Sequence, residues 1–242
     1  MKTFELLQSP TIGAKDPPYA ASRLIARLAL ANQTDKQGKS VYDHVERVLQ
    51  RTLAHMNGEN VKQASVKVSS SLIGLDGKPL GTQLRSAAEH QFMPESYDEH
   101  IAVHAAILHD VVEDSDVTIE ELARCGYSSA ILYAVDLLTC EAETPYVDYI
   151  DELCRTAHVD GRPFTSQDAL EVTVRRAALL VKAMDHKDNT SPERQEGLAP
   201  AFRNYLTARY DGVWPKLTAA FTFLEGPNVL GGALDSSEAT AA

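Results

Sequence analysis

One imidazole and three carboxylates follow an apolar run within six residues, at His109, Asp110, Glu113 and Asp114. The run itself, residues 105–108, reads Ala-Ala-Ile-Leu. On a helix, residues four apart share a column, so His109 stands one turn from Glu113. Asp110 then stands one turn from Asp114 in the neighbouring column. Because burying this much charge is costly unless a cation compensates, the stretch indicates a bound metal ion.

Two other helical segments bring a metal-binding side chain close to an apolar face. They carry His44 and Asp185. Each of these residues alone has a structural explanation, but three segments that each present a ligand favour a common site. Together with His109 and Asp110 they form a mixed nitrogen and oxygen set, which suits Mn²⁺, Fe²⁺ or Zn²⁺ better than Ca²⁺.

Such a site would leave coordination positions for water and substrate. A divalent ion lowers the pKa of its bound water to about 7 and polarises a phosphoryl oxygen. We therefore expect hydrolysis of a phosphate ester or anhydride. Glu113 and Asp114 are the candidates to orient or deprotonate the attacking water. Asn189, four residues after Asp185, is a candidate hydrogen-bond partner of the substrate.

A phosphorylated substrate also needs cations other than the metal. Lys182 and Lys187 flank Asp185 on its own helix and are the preferred candidates. Tyr42 is a candidate for stacking on a base, although a tyrosine beside an apolar helix more often packs in a core.

The order of these residues, H…HD…D, resembles the signature of the HD-domain metal-dependent phosphohydrolases. The segments 35–44, 109–115 and 181–189, with the motifs HDVVED and KxxDxxDN, look like the hydrolase domain of the RelA/SpoT-type alarmone enzymes and of their stand-alone small hydrolases. The resemblance implies an all-α helical bundle with Mn²⁺ at His44, His109, Asp110 and Asp185. It also implies that Glu113 and Asp114 assist the water, that Asn189 contacts the ribose or substrate, and that the 3′-pyrophosphate is removed from (p)ppGpp.

The sequence departs from the family pattern at two informative places. Asp188 stands where the long enzymes carry His, and residues 32–34, Asn-Gln-Thr, replace a basic pair that helps to hold guanine. Two alternatives to an alarmone hydrolase therefore remain open. One is a phosphatase of another nucleotide, such as a 3′-phosphorylated cofactor or a deoxynucleoside monophosphate. The other is a non-catalytic nucleotide-sensing module.

Apolar periodicity predicts helices through most of the chain. The predicted helices cover about 19–31, 41–56, 99–112, 128–140, 145–157, 169–189 and 199–224, the last divided or kinked at Gly212 and Pro215. Thr118–Glu121 has the sequence of a capping box, and Gly126 follows the short helix that it starts. Residues 57–97 are interpreted as an insertion, with a hairpin turn at Asp76-Gly77 and a short helix at 83–90. We expect one HD-type domain over 1–225 and a flexible tail over 226–242.

Composition limits the classes of partner. The formal net charge of -11 disfavours binding to polymeric nucleic acid or to an anionic membrane. Three cysteines without a CxxC motif indicate reduced thiols and a cytoplasmic location. The first residues lack the long apolar core of a signal peptide, and no segment reaches the length of a membrane span. The expected partner is a small nucleotide, bound by a monomer or a homodimer.

Overall fold

The computed structural model describes residues 16–35, 37–56, 62–65, 88–91, 97–155, 166–196 and 198–225. Within them the chain is predominantly helical, which confirms the predicted all-α class. The helices are α1 (Tyr19–Ala29), α2 (Val41–His55), α3 (Tyr97–Leu108), α4 (Ile119–Arg124), α5 (Ser129–Leu138), α6 (Tyr146–Leu153), α7 (Ser166–Asn189), α8 (Pro192–Gln195), α9 (Pro200–Tyr210) and α10 (Val213–Glu225).

Helices α3 and α7 form the centre of the bundle. Every residue of α3 from Ile101 to Leu108 is buried, as expected for a helix that is apolar on all sides. It packs against α1, α2, α5 and α7, while α7 also packs against α2, α5 and α10. Helix α2 adds its stripe of Val41, Val45, Val48, Leu49 and Leu53 to the same core. The central pair and α2 are the three elements that carried the predicted metal ligands.

The predicted end of α3 at residue 112 is wrong. The helix ends at Leu108, and residues 109–113 form turns in which the amide of Val111 bonds to the carbonyl of Leu108 at 3.0 Å. Carboxylates are unfavourable at the negative end of a helix dipole, and Asp110 is the first of several here. One helical feature persists, because the amide of Asp114 bonds to the carbonyl of Asp110 at 2.8 Å.

The insertion contains a pair of short strands. β1 (Lys62–Ser65) pairs antiparallel with β2 (Ala88–Gln91), so that Lys62 lies opposite Gln91. Residues 88–90 therefore belong to a strand, and the helix predicted at 83–90 is wrong for that part. The predicted turn at Asp76-Gly77 and the tail at 226–242 lie outside the described residues.

Two local predictions about helix ends are confirmed. The hydroxyl of Thr118 accepts from the amide of Glu121 at 3.2 Å, and the Glu121 carboxylate accepts from the amide of Thr118 at 3.0 Å, which completes the capping box. Gly212, with a φ of 69°, separates α9 from α10. Pro215 is the third residue of α10, where its missing N–H has no partner inside the helix, so it causes no further break.

None of the described helices is both long enough and apolar enough to cross a bilayer.

Candidate metal centre

Three helices bring the predicted ligands together. His44 comes from the first turn of α2, His109 and Asp110 directly follow α3, and Asp185 lies in the last turns of α7. One ligand atom from each of His44, His109 and Asp110 lies within 4.8 Å of the other two. Asp185 joins them through its Oδ1, which is 3.0 Å from Nε2 of His44. The structure therefore unites residues that are up to 141 positions apart in the chain.

Both imidazole rings point Nε2 towards this centre. The two Nε2 atoms are 3.4 Å apart. His109 Nε2 is 3.2 Å from Oδ1 of Asp110, and His44 Nε2 is 3.6 Å from its Oδ2. Four groups whose unprotonated forms are electron-pair donors thus face one another in a small volume.

The other nitrogen of each ring is held by an acceptor. His109 Nδ1 donates to the carbonyl of Ala106 at 2.9 Å, one of the carbonyls that the end of α3 leaves without a helical partner. His44 Nδ1 donates to Oδ2 of Asp188 at 2.8 Å. Because a carbonyl or carboxylate oxygen can only accept, Nδ1 carries a proton in both rings, and Nε2 is the nitrogen that would supply a lone pair to a metal ion. A metal-binding imidazole with a hydrogen-bonded second nitrogen has this arrangement.

The charged side chains around the candidate ligands stabilise one another's ionised forms. Burial disfavours the charged form of His44, but hydrogen bonds to Asp185 and Asp188 outweigh it and raise the His44 pKa to about 9. Burial would raise the pKa of Asp185, yet Lys182 and His44 hold it well below its ordinary value. Without a metal, His44 Nε2 carries a proton and donates it in a hydrogen bond to the Asp185 carboxylate. A divalent cation can replace that proton and satisfy more of the converging donors, so these residues fit a transition-metal ion.

Lys182 and Asn189 act on Asp185 from its own helix. The ammonium of Lys182 lies 2.7 Å from Asp185 Oδ2, and the amide of Asn189 donates to Oδ1 at 2.6 Å. Burial opposes the charge of Lys182, but Asp185 and the neighbouring tyrosines raise its pKa well above the usual value. The ammonium also lies 5.2 Å from the centre of the Tyr149 ring. Two of the four predicted substrate contacts therefore hold the candidate ligand Asp185 in place.

Three of the four candidate ligands border a cavity of about 430 Å³. His44, Asp110 and Asp185 line it, as do the predicted substrate contacts Lys182 and Asn189. Glu113 and Asp114 line it too, so the two proposed catalytic carboxylates share a space with the metal ligands. This is the volume in which a small substrate would meet the centre.

Glu113 is fixed by the segment after α5. Its Oε2 accepts from the amide of Cys140 at 3.0 Å. Although the side chain is accessible through the cavity, desolvation by the surrounding walls raises its pKa above the ordinary value, a change that the Cys140 amide and Lys182 partly offset. A carboxylate of raised pKa is a stronger base, as required of a group that takes a proton from water.

Two predicted substrate contacts do not line the cavity. The hydroxyl of Tyr42 donates to Glu46 at 2.6 Å, and its ring packs against the core. The ammonium of Lys187 lies 5.1 Å from the centre of the Trp214 ring. Neither residue is brought to the ligands, because each lies on a different face of its helix from the metal ligand that it accompanies.

One wall of the cavity was not anticipated. It is formed mainly by one face of α9, a helix with no buried residue, and by Tyr146 of α6. The α9 residues that line the cavity are Phe202, Tyr205, Leu206, Arg209 and Tyr210. Their spacing of three and four predicts an amphipathic helix, but it gives no indication that the apolar face borders a cavity rather than a core.

Asp188 was also not assigned a role. It is fully buried and accepts from Nδ1 of His44 and from Nε of Arg47, at 3.0 Å to Oδ1. Its position three residues after Asp185, on the same side of α7, was the available signal.

Comparison with known proteins gives no family for this chain. A scan against protein-family models found no match, and neither did a search of curated proteins.

Proposed function

We propose that this protein is a metal-dependent phosphohydrolase of the HD type that acts on a small nucleotide. The observation that carries the proposal is the convergence of two imidazole Nε2 atoms with the carboxylates of Asp110 and Asp185, in a group of which His44 and both carboxylates line a cavity. Both rings have Nδ1 already engaged. The ligands would be His44, His109, Asp110 and Asp185, and the expected ion is Mn²⁺.

A divalent ion bound there supplies Lewis-acid activation of the phosphoryl group and of water. The chain's own residues supply position and proton transfer. Glu113 Oε2 is held by the Cys140 amide, so Oε1 is the atom that would accept the proton of the attacking water. Asp114 borders the same cavity and would orient that water. Asn189 and Lys182 hold Asp185 and face the substrate volume.

The leading substrate is (p)ppGpp or a related alarmone, from which the 3′-pyrophosphate is removed. The support is the combined H…HD…D order, the HDVVED motif and the KxxDxxDN motif, whose Lys182, Asp185 and Asn189 all line the cavity. These motifs resemble those of alarmone hydrolases.

The charges of the cavity favour a second candidate, a nucleotide with fewer phosphates. Among the described residues that line the cavity, Lys182, Arg194 and Arg209 are cationic, whereas Asp35, Asp110, Glu113, Asp114 and Asp185 are anionic. Lys182 and Arg194 are engaged by carboxylates, Asp185 and Asp35 respectively. Gln33 and Thr34 also line the cavity, at the place of the family's basic pair. A 3′-phosphorylated cofactor or a deoxynucleoside monophosphate would require fewer cations.

A substrate panel separates these candidates. The purified protein with Mn²⁺ is incubated with ppGpp, ppApp, NADPH and deoxynucleoside monophosphates, and released phosphate and pyrophosphate are measured. Pyrophosphate from ppGpp or ppApp supports the alarmone hydrolase, and phosphate from the other substrates supports the second candidate. If no compound is hydrolysed while metal is bound, the proposal fails and the result favours a non-catalytic nucleotide sensor.

The double variant Glu113→Gln/Asp114→Asn tests the assigned chemistry. The amides keep the shapes of the side chains but cannot accept a proton, so kcat should fall by about 10²- to 10⁴-fold. Metal content, measured by elemental analysis, should remain that of the unmodified protein. A double variant with normal kcat would contradict the assignment of these two residues.

A further inference from the structure

Asp188 is a buried carboxylate with an unusual set of partners. Its side chain is 1% exposed, and its oxygens lie 2.8 Å from His44 Nδ1, 3.0 Å from Arg47 Nε and 3.3 Å from Arg51 Nε. Arg194 Nε lies at 3.7 Å. A carboxylate without solvent needs such compensation, and three guanidinium groups supply it.

Asp188 cannot be a ligand of the same ion as His44 Nε2. It contacts Nδ1, whereas Nε2 of that ring faces Asp185 and His109. Asp188 therefore contacts the centre through the outer side of the His44 ring.

The contact has a defined chemical consequence. An ionised carboxylate only accepts hydrogen bonds, so it requires a proton on Nδ1 and leaves Nε2 to bind a cation. Its negative charge also makes the ring a stronger electron-pair donor. Among the residues that the structure describes, the partner of His109 Nδ1 is the neutral carbonyl of Ala106. His44 is thus the more strongly polarised of the two imidazole ligands.

The arginines fix the carboxylate in place. Arg47 and Arg51 follow His44 on α2 at spacings of three and seven, so all three residues lie on the face of α2 that meets α7. Arg194 also donates to Oδ1 of Asn189 at 3.2 Å, and it binds Asp35. This network therefore connects the outer side of His44 to two residues that line the cavity, Asn189 and Asp35.

We infer that Asp188 is a positioning residue of the metal centre, which holds His44 with Nδ1 protonated and Nε2 directed at the ion. The inference rests on the metal site of the proposed function. It extends that function to a residue that does not touch metal or substrate.

The test measures metal binding without any substrate. Co²⁺ affinity is determined by competition with a chelator, the Co²⁺ absorption spectrum is recorded, and the His44 tautomer is read from ¹H–¹⁵N NMR spectra of the Zn²⁺-loaded protein. For Asp188→Ala we expect about 10- to 100-fold weaker Co²⁺ binding, an altered spectrum and loss of the single Nδ1–H tautomer.

Asp188→Asn keeps an oxygen that can accept from Nδ1, so it should retain the tautomer and lose less than about tenfold in affinity. If Asp188→Ala does not fold, the Co²⁺ affinity and the His44 tautomer of Asp188→Asn decide the test. The matched control is Asp16→Asn, because Asp16 is another buried carboxylate that contacts a histidine, at 3.1 Å from Nε2 of His100. That variant should leave Co²⁺ affinity unchanged.

Folded Asp188 variants with normal Co²⁺ affinity, spectrum and tautomer would overturn the inference, as would the absence of Co²⁺ binding by the unmodified protein. The outcome is separable from that of the substrate panel. Altered metal binding without turnover of any nucleotide would support the role of Asp188 and refute the hydrolase. Turnover of a nucleotide by the unmodified protein, together with unaltered metal binding in the Asp188 variants, would support the hydrolase and refute the role of Asp188.

Discussion

Two histidine clusters lie along or beside helix α3, and they differ in the polar groups that surround the rings. In the first, His44 and His109 direct Nε2 at each other and at carboxylates, and the group borders a cavity. In the second, His104 is completely buried and its Nδ1 lies 2.8 Å from the hydroxyl of Ser22. That hydroxyl also lies 2.8 Å from the hydroxyl of Tyr127.

The difference lies in the partners rather than in the depth of burial. His104 Nδ1 contacts a single hydroxyl group, that of Ser22, which both donates and accepts, so this hydrogen bond forms without an ion. The rings of Tyr19 and His100 enclose it further, with centres 4.6 and 4.8 Å away. The partners of His44 are carboxylates that can only accept. A buried histidine whose neighbours only accept hydrogen bonds must carry two protons or bind a cation, whereas one beside a hydroxyl group needs neither.

The largest test of this comparison removes ligands from the first cluster. In His109→Ala/Asp110→Ala, metal content should fall from about one ion per chain to near zero, because two of the four donors are gone. Hydrolysis should fall to the level of the metal-free protein. Elemental analysis after dialysis gives the metal content, and His104→Asn should leave it intact. Metal that survives the double change would refute the site.

The corresponding change in the second cluster is Ser22→Ala. It leaves the buried polar atoms of His104 and Tyr127 without their shared partner, so the free energy of unfolding should decrease by about 1 to 3 kcal/mol. Urea titration followed by circular dichroism measures this loss. Co²⁺ affinity should not change, and a weakened affinity would show that the two clusters are coupled.

The two clusters should also respond oppositely to pH in the metal-free protein. Burial, reinforced by the charge of His100, lowers the pKa of His104 from 6.5 to about 3. The unfolded chain then binds the proton more tightly, so stability is complete above pH 6.5 and declines below it, by about 2 kcal/mol at about pH 5. His44 has a raised pKa of about 9, so its contribution is complete below pH 6.5 and is lost as the pH rises through about 9.

Urea unfolding in the presence of a chelator, at several pH values between about 5 and 9, measures both slopes. His104→Asn should reduce the pH dependence of the free energy of unfolding on the acid side, and His44→Ala should reduce it on the alkaline side. If either replacement leaves its own slope unchanged, the charge state assigned to that histidine is wrong.

The smallest effect is expected at Lys187, which packs on Trp214 away from the cavity. Lys187→Ala should cost about 0.5 to 1 kcal/mol of stability through the lost cation–π contact. Its KM should stay within about twofold of the unmodified value. Lys182→Ala is the contrast, since Lys182 lines the cavity and holds Asp185, and it should raise KM and weaken metal binding. Equal effects of the two replacements on KM would contradict this placement.

Much of the fold could be predicted from sequence because its determinants are local. The apolar stripe of α2, the capping box at Thr118 and the break at Gly212 each depend on residues within a few positions of one another. The end of α3 was placed too late, since apolar spacing continues to residue 112 while the accumulating carboxylates already oppose the helix.

The sequence also predicts which residue types could bind a metal or a substrate, but it does not predict what each side chain contacts. Tyr42 and Lys187 have suitable chemistry and spacing, yet they pack elsewhere. Asp188 gave only a positional signal, because its partners come from α2 and from the segment after α7. Contacts between residues more than a hundred positions apart depend on helix packing, which no local pattern specifies.

The sequence by itself therefore determined an all-α chain with ligand-type residues on three helical segments, since helical periodicity and side-chain chemistry are properties of neighbouring residues. Only the tertiary structure decided which histidine nitrogens face each other, which of the lysines borders the cavity, and that Asp188 lies behind His44. The physical reason is that hydrogen-bond direction and burial arise from the packing of α2, α3 and α7 against one another.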